Sequence, residues 1–426
     1  MAERSFLGDM LTTLFERGRP RRARGEERSI IDLCQSLLDA EGEVSGITLA
    51  QAILDRYAQA SDPEKAAFFS FLNADLEIDL AGLEHAIADY KTSSDLKTYR
   101  KIGAAAEPRR QELLRRLNQP PGATQALVNM RADLLAAVRG DPELARTDLD
   151  FAHLLRSWFN RGFLMLRQIS WETPASILEK IVQYEAVHAI SDWDDLRRRL
   201  YPEDRRCFAF FHPSMPDEPL IFVEVALTQE PPSSIQSVLT DEREPQDAHE
   251  TRVAVFYSIS NCQAGLAGVS FGNLLIKQVV AELQLELPGL ETFVTLSPIP
   301  GLSAWLEARP DDDAAVSVLA GEADEDAVAL IATDYLLSAK NERGQPFDPV
   351  ARFHLGNGAQ IYAVHGAADQ SENGLRQSAG AMVNYQYDLN LIEQNHERFV
   401  QDGEISISPG FRTAAANARK QRNAHA

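Results

Sequence analysis

Residues 251–297 read TRVAVFYSISNCQAGLAGVSFGNLLIKQVVAELQLELPGLETFVTLS. The first ten are rich in β-branched and aromatic types, which marks a strand. Glycines then cluster at 265–272. A helical period follows to about residue 286, with Ile276, Val279, Val280, Leu283 and Leu287 on one side. A second strand closes the stretch at 291–297. Strand, glycine loop, helix and strand in this order make an α/β core. A glycine-rich turn at a helix start exposes backbone N–H groups and the positive end of the helix dipole, a design that suits phosphate.

Working outward, RCFAFFHP and PLIFVEVALT, both upstream, are further strands bounded by turn residues. Residues 29–200 read as helical. In that region PEKAAFFSFL, ALVNMRADLLAAV and DLDFAHLLRSWFNRGFLML keep a period of three to four. Asp62 and Pro63 look like a helix start. SWETPASILEKI reads as a bridging helix begun by Thr173 and Pro174. The expected class is therefore α+β and multidomain: an N-terminal all-α domain, then a C-terminal mixed α/β domain. The expected boundaries are a basic, poorly ordered arm at 1–28, helices at 29–175, the α/β domain at 176–410 and a tail at 411–426.

A chain of 426 residues is too long for one ordinary core. Its formal charge of −21 argues against nucleic acid as a partner, because phosphate neutralisation needs a basic face. No run of eighteen apolar residues is present, so no membrane partner is expected. Three widely spaced cysteines, Cys34, Cys207 and Cys262, suit a reducing compartment. The absence of a secretory h-region and of a C-terminal peroxisomal address leaves the cytoplasm as the expected location.

Two serines compete for attention. Gly268-Val269-Ser270-Phe271-Gly272 matches the GxSxG nucleophile elbow, but NCQAGLA separates it from the preceding strand. An elbow serine sits at the strand end, so the match reads as a decoy. Ser297 does sit at a strand end. Pro298 biases it towards extended geometry, Pro300 fixes its own φ, and Gly301 permits the turn into the next helix. A histidine, His354, lies in ARFHLGNGAQIYAV, where a short strand-like piece meets Gly-Asn-Gly. Histidine is the usual proton carrier, because its pKa lies near working pH. Tyr385 and Tyr387 alternate in VNYQYDL and should share one sheet face. His212 before Pro213 reads as a turn residue.

Taken together, GLAGVSFGNLLIKQVV, LSPIPGLSAWL, FHLGNGA and NYQY resemble the malonyl-CoA decarboxylase family, in the family's order. The likeness extends back through SWFNRGFLML and EAVHAISDWDDLRRRL to about residue 125. The resemblance implies a helical domain used in homo-oligomer assembly, as dimer or tetramer, and a catalytic domain like the GNAT acetyltransferase fold. It also implies coenzyme A cradled by Ala267, Gly268, Val269, Ser270, Phe271, Gly272 and Asn273, and a site built from Ser297, His354 and Tyr387. Some members carry a glutamate where this chain has Ser270.

The implied reaction converts malonyl-CoA to acetyl-CoA and CO2. The thioester carbonyl is the electron sink, so no cofactor is expected. Arg205 and Arg206 are possible partners of a coenzyme A phosphate, with a solvated basic pair the plainer expectation. The competing readings are an acyl-CoA N-acyltransferase and a non-catalytic coenzyme A sensor.

Overall fold

The computed structural model describes residues 28–269, 272–413 and 416. The expected arm and most of the expected tail lie outside them. The chain divides into two compact units, one of residues up to 127 with 134–151, the other of 128–133 with everything from 152 onward.

The first unit is helical, from Ile30–Asp39 to the start of Ala145–Trp158. Its core gathers Tyr57, Phe68 and Phe69, with ring centroids 5.4 to 6.1 Å apart. Ser61, one residue before the expected start, caps the helix Asp62–Ala74, and its N–H donates to the Glu64 carboxylate at 2.8 Å. The buried Arg110 guanidinium is neutralised by Asp150 and by Glu77. Helices Leu80–Thr92 and Leu96–Ala105 form an antiparallel hairpin.

The second unit is built on one eight-stranded sheet in the order β1-β2-β3-β4-β5-β8-β6, with β7 on β8. The strands are β1 Met165–Ile169, β2 Arg205–Phe211, β3 Ile221–Thr228, β4 Val253–Asn261, β5 Thr292–Thr295, β6 Ser297–Pro298, β7 Gln360–His365 and β8 Met382–Gln386. β4 and β5 run parallel, with Val253 to Phe256 opposite Thr292 to Thr295. The other pairs are antiparallel. Helix Gly272–Glu286 is the crossover between the parallel pair, and its Ile276, Val279, Val280 and Leu283 join Phe256 and Phe293 in the core. The mixed α/β class read from residues 251–297 is therefore present, with both strand ends within three residues of their expected positions.

Three expectations need correction. The helical reading to residue 200 missed β1: the helix stops at Trp158, a short 3₁₀ turn at Arg161–Phe163 follows, and Met165–Ile169 pairs with Phe211–Cys207. An edge strand is exposed on much of its surface, so its composition did not alternate cleanly; pairing with β2 decided it. A boundary at residue 175 would cut β1 from its sheet. His354 is also not at a strand end. It lies in the last turn of helix Pro349–Gly356, with β7 starting only at Gln360. Lastly, Arg205 is buried rather than solvated, donating to the Asp204 and Val238 carbonyls, while Arg206 pairs with Glu286. Among the described residues no helix is long and apolar enough to cross a membrane.

The chain leaves the His354 helix through Gly358, whose φ of +86° is left-handed. A Cβ there would collide with the Ile392 carbonyl oxygen. Gly358→Ala is expected to lower stability by about 2 kcal/mol or more, since a left-handed non-glycine alone costs roughly 1–2 kcal/mol. The urea midpoint measures it, and an unchanged midpoint would remove this glycine from the account of how His354 is placed.

Candidate active site

The parallel pair places two functional segments at one end of the sheet. β4 runs into the glycine loop and β5 runs into Ser297, both at carboxyl ends. Parallel strands expose their loops together there, the usual place for an α/β site.

Ser297 pairs with Val383 of β8, and Pro298 with Met382, so the extended geometry expected before a proline is used to add a two-residue strand. The turn that follows is tied to the helix carrying His354. Asp348 caps that helix, its Oδ1 accepting from the Val350 and Ala351 amides at 2.9 Å each. Its Oδ2 accepts from the Gly301 amide at 3.3 Å. One carboxylate thus fixes the start of the His354 helix and the turn beyond Ser297. Gly301 is required at that point, because a Cβ would strike the Tyr335 hydroxyl.

Ser297, His354 and Tyr387 come together. The His354 Nε2 lies 3.2 Å from Ser297 Oγ, and Nδ1 lies 2.7 Å from the Tyr387 hydroxyl. All three are buried. Tyr385 stacks on the His354 ring, centroids 4.7 Å apart and planes 23° from parallel. Both tyrosines of NYQY therefore face the imidazole, as their alternation implied.

Thr295 completes the cluster and was not singled out in the sequence. Ser297 Oγ donates to its Oγ1 at 2.9 Å, and the Tyr385 amide donates to the same oxygen at 3.1 Å. The Asn384 side-chain amide donates to the Thr295 carbonyl at 2.7 Å. The signal was available: Thr295 precedes Ser297 by two residues in an extended segment, so both side chains share a face.

The electrostatics differ from the expectation of a histidine poised near working pH. Burial pushes His354 down to about 3, so the imidazole is neutral. Burial likewise holds the Tyr387 phenol well above its ordinary value, and it stays protonated. The second ring nitrogen meets a phenol, not a carboxylate. A Ser-His-Asp hydrolase needs that carboxylate to stabilise the imidazolium it forms. This cluster instead lines up hydrogen-bonding groups without a carboxylate among them.

The glycine loop is held at its entry. Arg131 donates to the Gly265 and Ala267 carbonyls, both at 2.8 Å, and a Cβ at Gly265 would collide with the Val128 carbonyl. Gly268 has a φ of +75°, and a Cβ there would meet nothing within 4 Å among the described residues. Val269 is buried, and Gly272 and Asn273 open helix Gly272–Glu286. Ser270 and Phe271, and with them any side-chain role for Ser270, lie outside the described residues. His212 faces Phe159 and bonds Ser214 Oγ and the Trp158 carbonyl, as a turn residue would. Among the described residues no group of three or more His, Cys, Asp or Glu side chains is arranged to hold a metal ion.

Comparison with known proteins agrees over most of the chain. The family model described as malonyl-CoA decarboxylase C-terminal domain matches residues 162–331 and 320–425, and the N-terminal domain model matches 76–159. The crystal structure of malonyl-CoA decarboxylase from Rhodopseudomonas palustris is 50% identical, covers 90% of this chain and 98% of its own, and superposes with a TM-score of 0.85. That from Agrobacterium vitis is 47% identical, covers 91% and 100%, and has a TM-score of 0.85. The mitochondrial malonyl-CoA decarboxylase of Anser anser anser is 36% identical over 344 residues, 71% of this chain and 68% of its own. With two family models spanning the helical and the α/β parts and relatives of this identity and coverage, the chain belongs to the malonyl-CoA decarboxylase family.

Proposed function

We propose that this protein converts malonyl-CoA to acetyl-CoA and CO2, using Ser297, His354 and Tyr387 as its reacting chain. The observation that carries the reading is the buried, charge-free Tyr387–His354–Ser297 line at the carboxyl end of β5.

When the carboxylate leaves as CO2, its bonding electrons pass to C2 and on to the thioester oxygen. The resulting enolate needs a hydrogen-bond donor at that oxygen and a proton at C2. Donors held in a dry site are worth more than in water and need no reorganisation during reaction. The Ser297 hydroxyl, turning from the neutral Thr295 oxygen to the charged one, suits the enolate oxygen or the departing carboxylate, and His354 the proton at C2. One proton enters and one CO2 leaves, with the thioester intact.

The glycine loop and the N-terminus of helix Gly272–Glu286 would hold the coenzyme A pyrophosphate through backbone N–H groups. The helical unit would assemble the chain as a homo-oligomer. Leu80, Leu96 and Tyr99 of the hairpin are 68%, 64% and 65% exposed, apolar surface of the kind that assembly buries. The three cysteines are free and buried, which fits a reducing compartment such as the cytoplasm.

Malonyl-CoA alone, incubated with the protein and analysed by mass, should yield CO2 and acetyl-CoA; free coenzyme A appearing with an amine acceptor would point to acyl transfer. His354→Asn should still bind acetyl-CoA while losing turnover by ~10²–10⁴-fold, the usual worth of acid–base catalysis. Ser297→Ala should lower kcat far more than it weakens acetyl-CoA binding by calorimetry. Equal losses in both would make the hydroxyl a binding group only.

Gly268→Val should raise KM for malonyl-CoA, because a β-branched residue is strained at φ +75° and its side chain would occupy the open space beside the loop. An unaltered KM would take the phosphate away from this loop. Sedimentation at micromolar concentration should show dimer or tetramer, and a monomer at all concentrations would exclude the assembly role.

A further inference from the structure

We infer that Thr295 is a positioning residue that sets the direction of the whole hydrogen-bond chain and thereby fixes His354 as its Nε2–H tautomer. The inference rests on the decarboxylase reading for its kinetic consequence, but its structural content stands on the bonds themselves.

Thr295 Oγ1 is fully buried, and two donors converge on it. The Tyr385 amide is one, at 3.1 Å, and it can only donate. The Ser297 hydroxyl is the other, at 2.9 Å. With its proton committed to Thr295, Ser297 has only lone pairs left for His354 Nε2 at 3.2 Å. That ring nitrogen must therefore carry the proton. A neutral imidazole has one N–H, so Nδ1 is bare and accepts the Tyr387 O–H at 2.7 Å. Every donor then points one way: Tyr387 to His354, His354 to Ser297, Ser297 to Thr295.

The direction matters for the proposed chemistry. A proton passed from the Nε2 side to C2 can be replaced at Nδ1 from Tyr387, whose phenol regains its proton from solvent water as product leaves, so the ring passes a proton without ever holding two. In the reverse polarity Ser297 would donate to Nε2 and Nδ1 would hold the ring's proton, on the side away from Ser297. Removing Thr295 Oγ1 removes what distinguishes the two. The backbone contributes as well: Asn384 anchors the Thr295 carbonyl at 2.7 Å, so the threonine is held by both its main chain and its side chain.

The test uses the full chain labelled with ¹⁵N-histidine, with His354→Asn supplying the assignment by difference. Wild type should show a protonated Nε2 and a bare Nδ1 at neutral pH. Thr295→Val should move His354 towards the Nδ1–H form and lower kcat by about tenfold or more, with KM within about threefold. Thr295→Ser keeps the oxygen and should restore both readouts. A wild-type spectrum showing the Nδ1–H tautomer overturns the proposal whether or not Thr295→Val folds. So does a folded Thr295→Val that keeps wild-type kcat and tautomer. Wild-type protein that makes no acetyl-CoA from malonyl-CoA would instead sink the decarboxylase reading, and the tautomer result would still decide this one.

Discussion

A neutral polar chain buried in the face of a sheet is the constraint on which this site depends. Each hydroxyl and ring nitrogen between Thr295 and Tyr387 has lost water, and each must find its partner inside. None of these partners is charged. The imidazole cannot ionise cheaply, so it must be satisfied as a neutral ring, by one donor on one side and one acceptor on the other. That requirement dictates which residue types stand around it: a phenol, a serine and a threonine, with a tyrosine ring stacked above. A carboxylate among them would invite the proton that burial keeps off His354.

β8 is the element that makes the cluster possible. It pairs with β5, β6 and β7, carries Tyr385 itself and leads directly into Tyr387. Through β6 it holds Ser297, and through β5 it lies against the strand that ends in Thr295. His354 arrives from outside the sheet, on a helix whose start is locked to the Ser297 turn by Asp348 and whose end is locked by Gly358 against residue 392. The cluster is therefore positioned by short elements cross-tied to one another, which holds the Ser297, His354 and Tyr387 side chains in place.

The opposite face of the same sheet uses a different solution. There Glu224 is fully buried 3.2 Å from Arg199, and Glu185 accepts from Ser258 and Ser260. Burial, with Glu185 nearby, pushes Glu224 up to about 8, against the pull of Arg199. Taking such ionisable groups out of water costs much of what their mutual attraction returns. One sheet thus separates this buried polar cluster from the neutral hydrogen-bond chain: alternation along β3 turns Glu224 away from Val223 and Val225, and the register shift between β3 and β4 at Glu224/Val225 brings Ser258 to the Glu224 side.

Residues 251–297 determined the strand–loop–helix–strand core by themselves, because local period and glycine placement are properties of neighbours in sequence. The family motifs named Ser297, His354 and Tyr387, and the structure brings those three within hydrogen-bond reach. Other features were decided only by tertiary structure. β1 became a strand because β2 offered it a partner, not because its own residues alternate. His354 sits at a helix end because Asp348 and Pro349 start a helix there, although Gly-Asn-Gly beside it looks like a strand turn. Its depressed pKa and the role of Thr295 were hidden for the same reason: a sequence shows which groups can ionise or bond, and only the folded chain shows which have lost their water and which partners replace it.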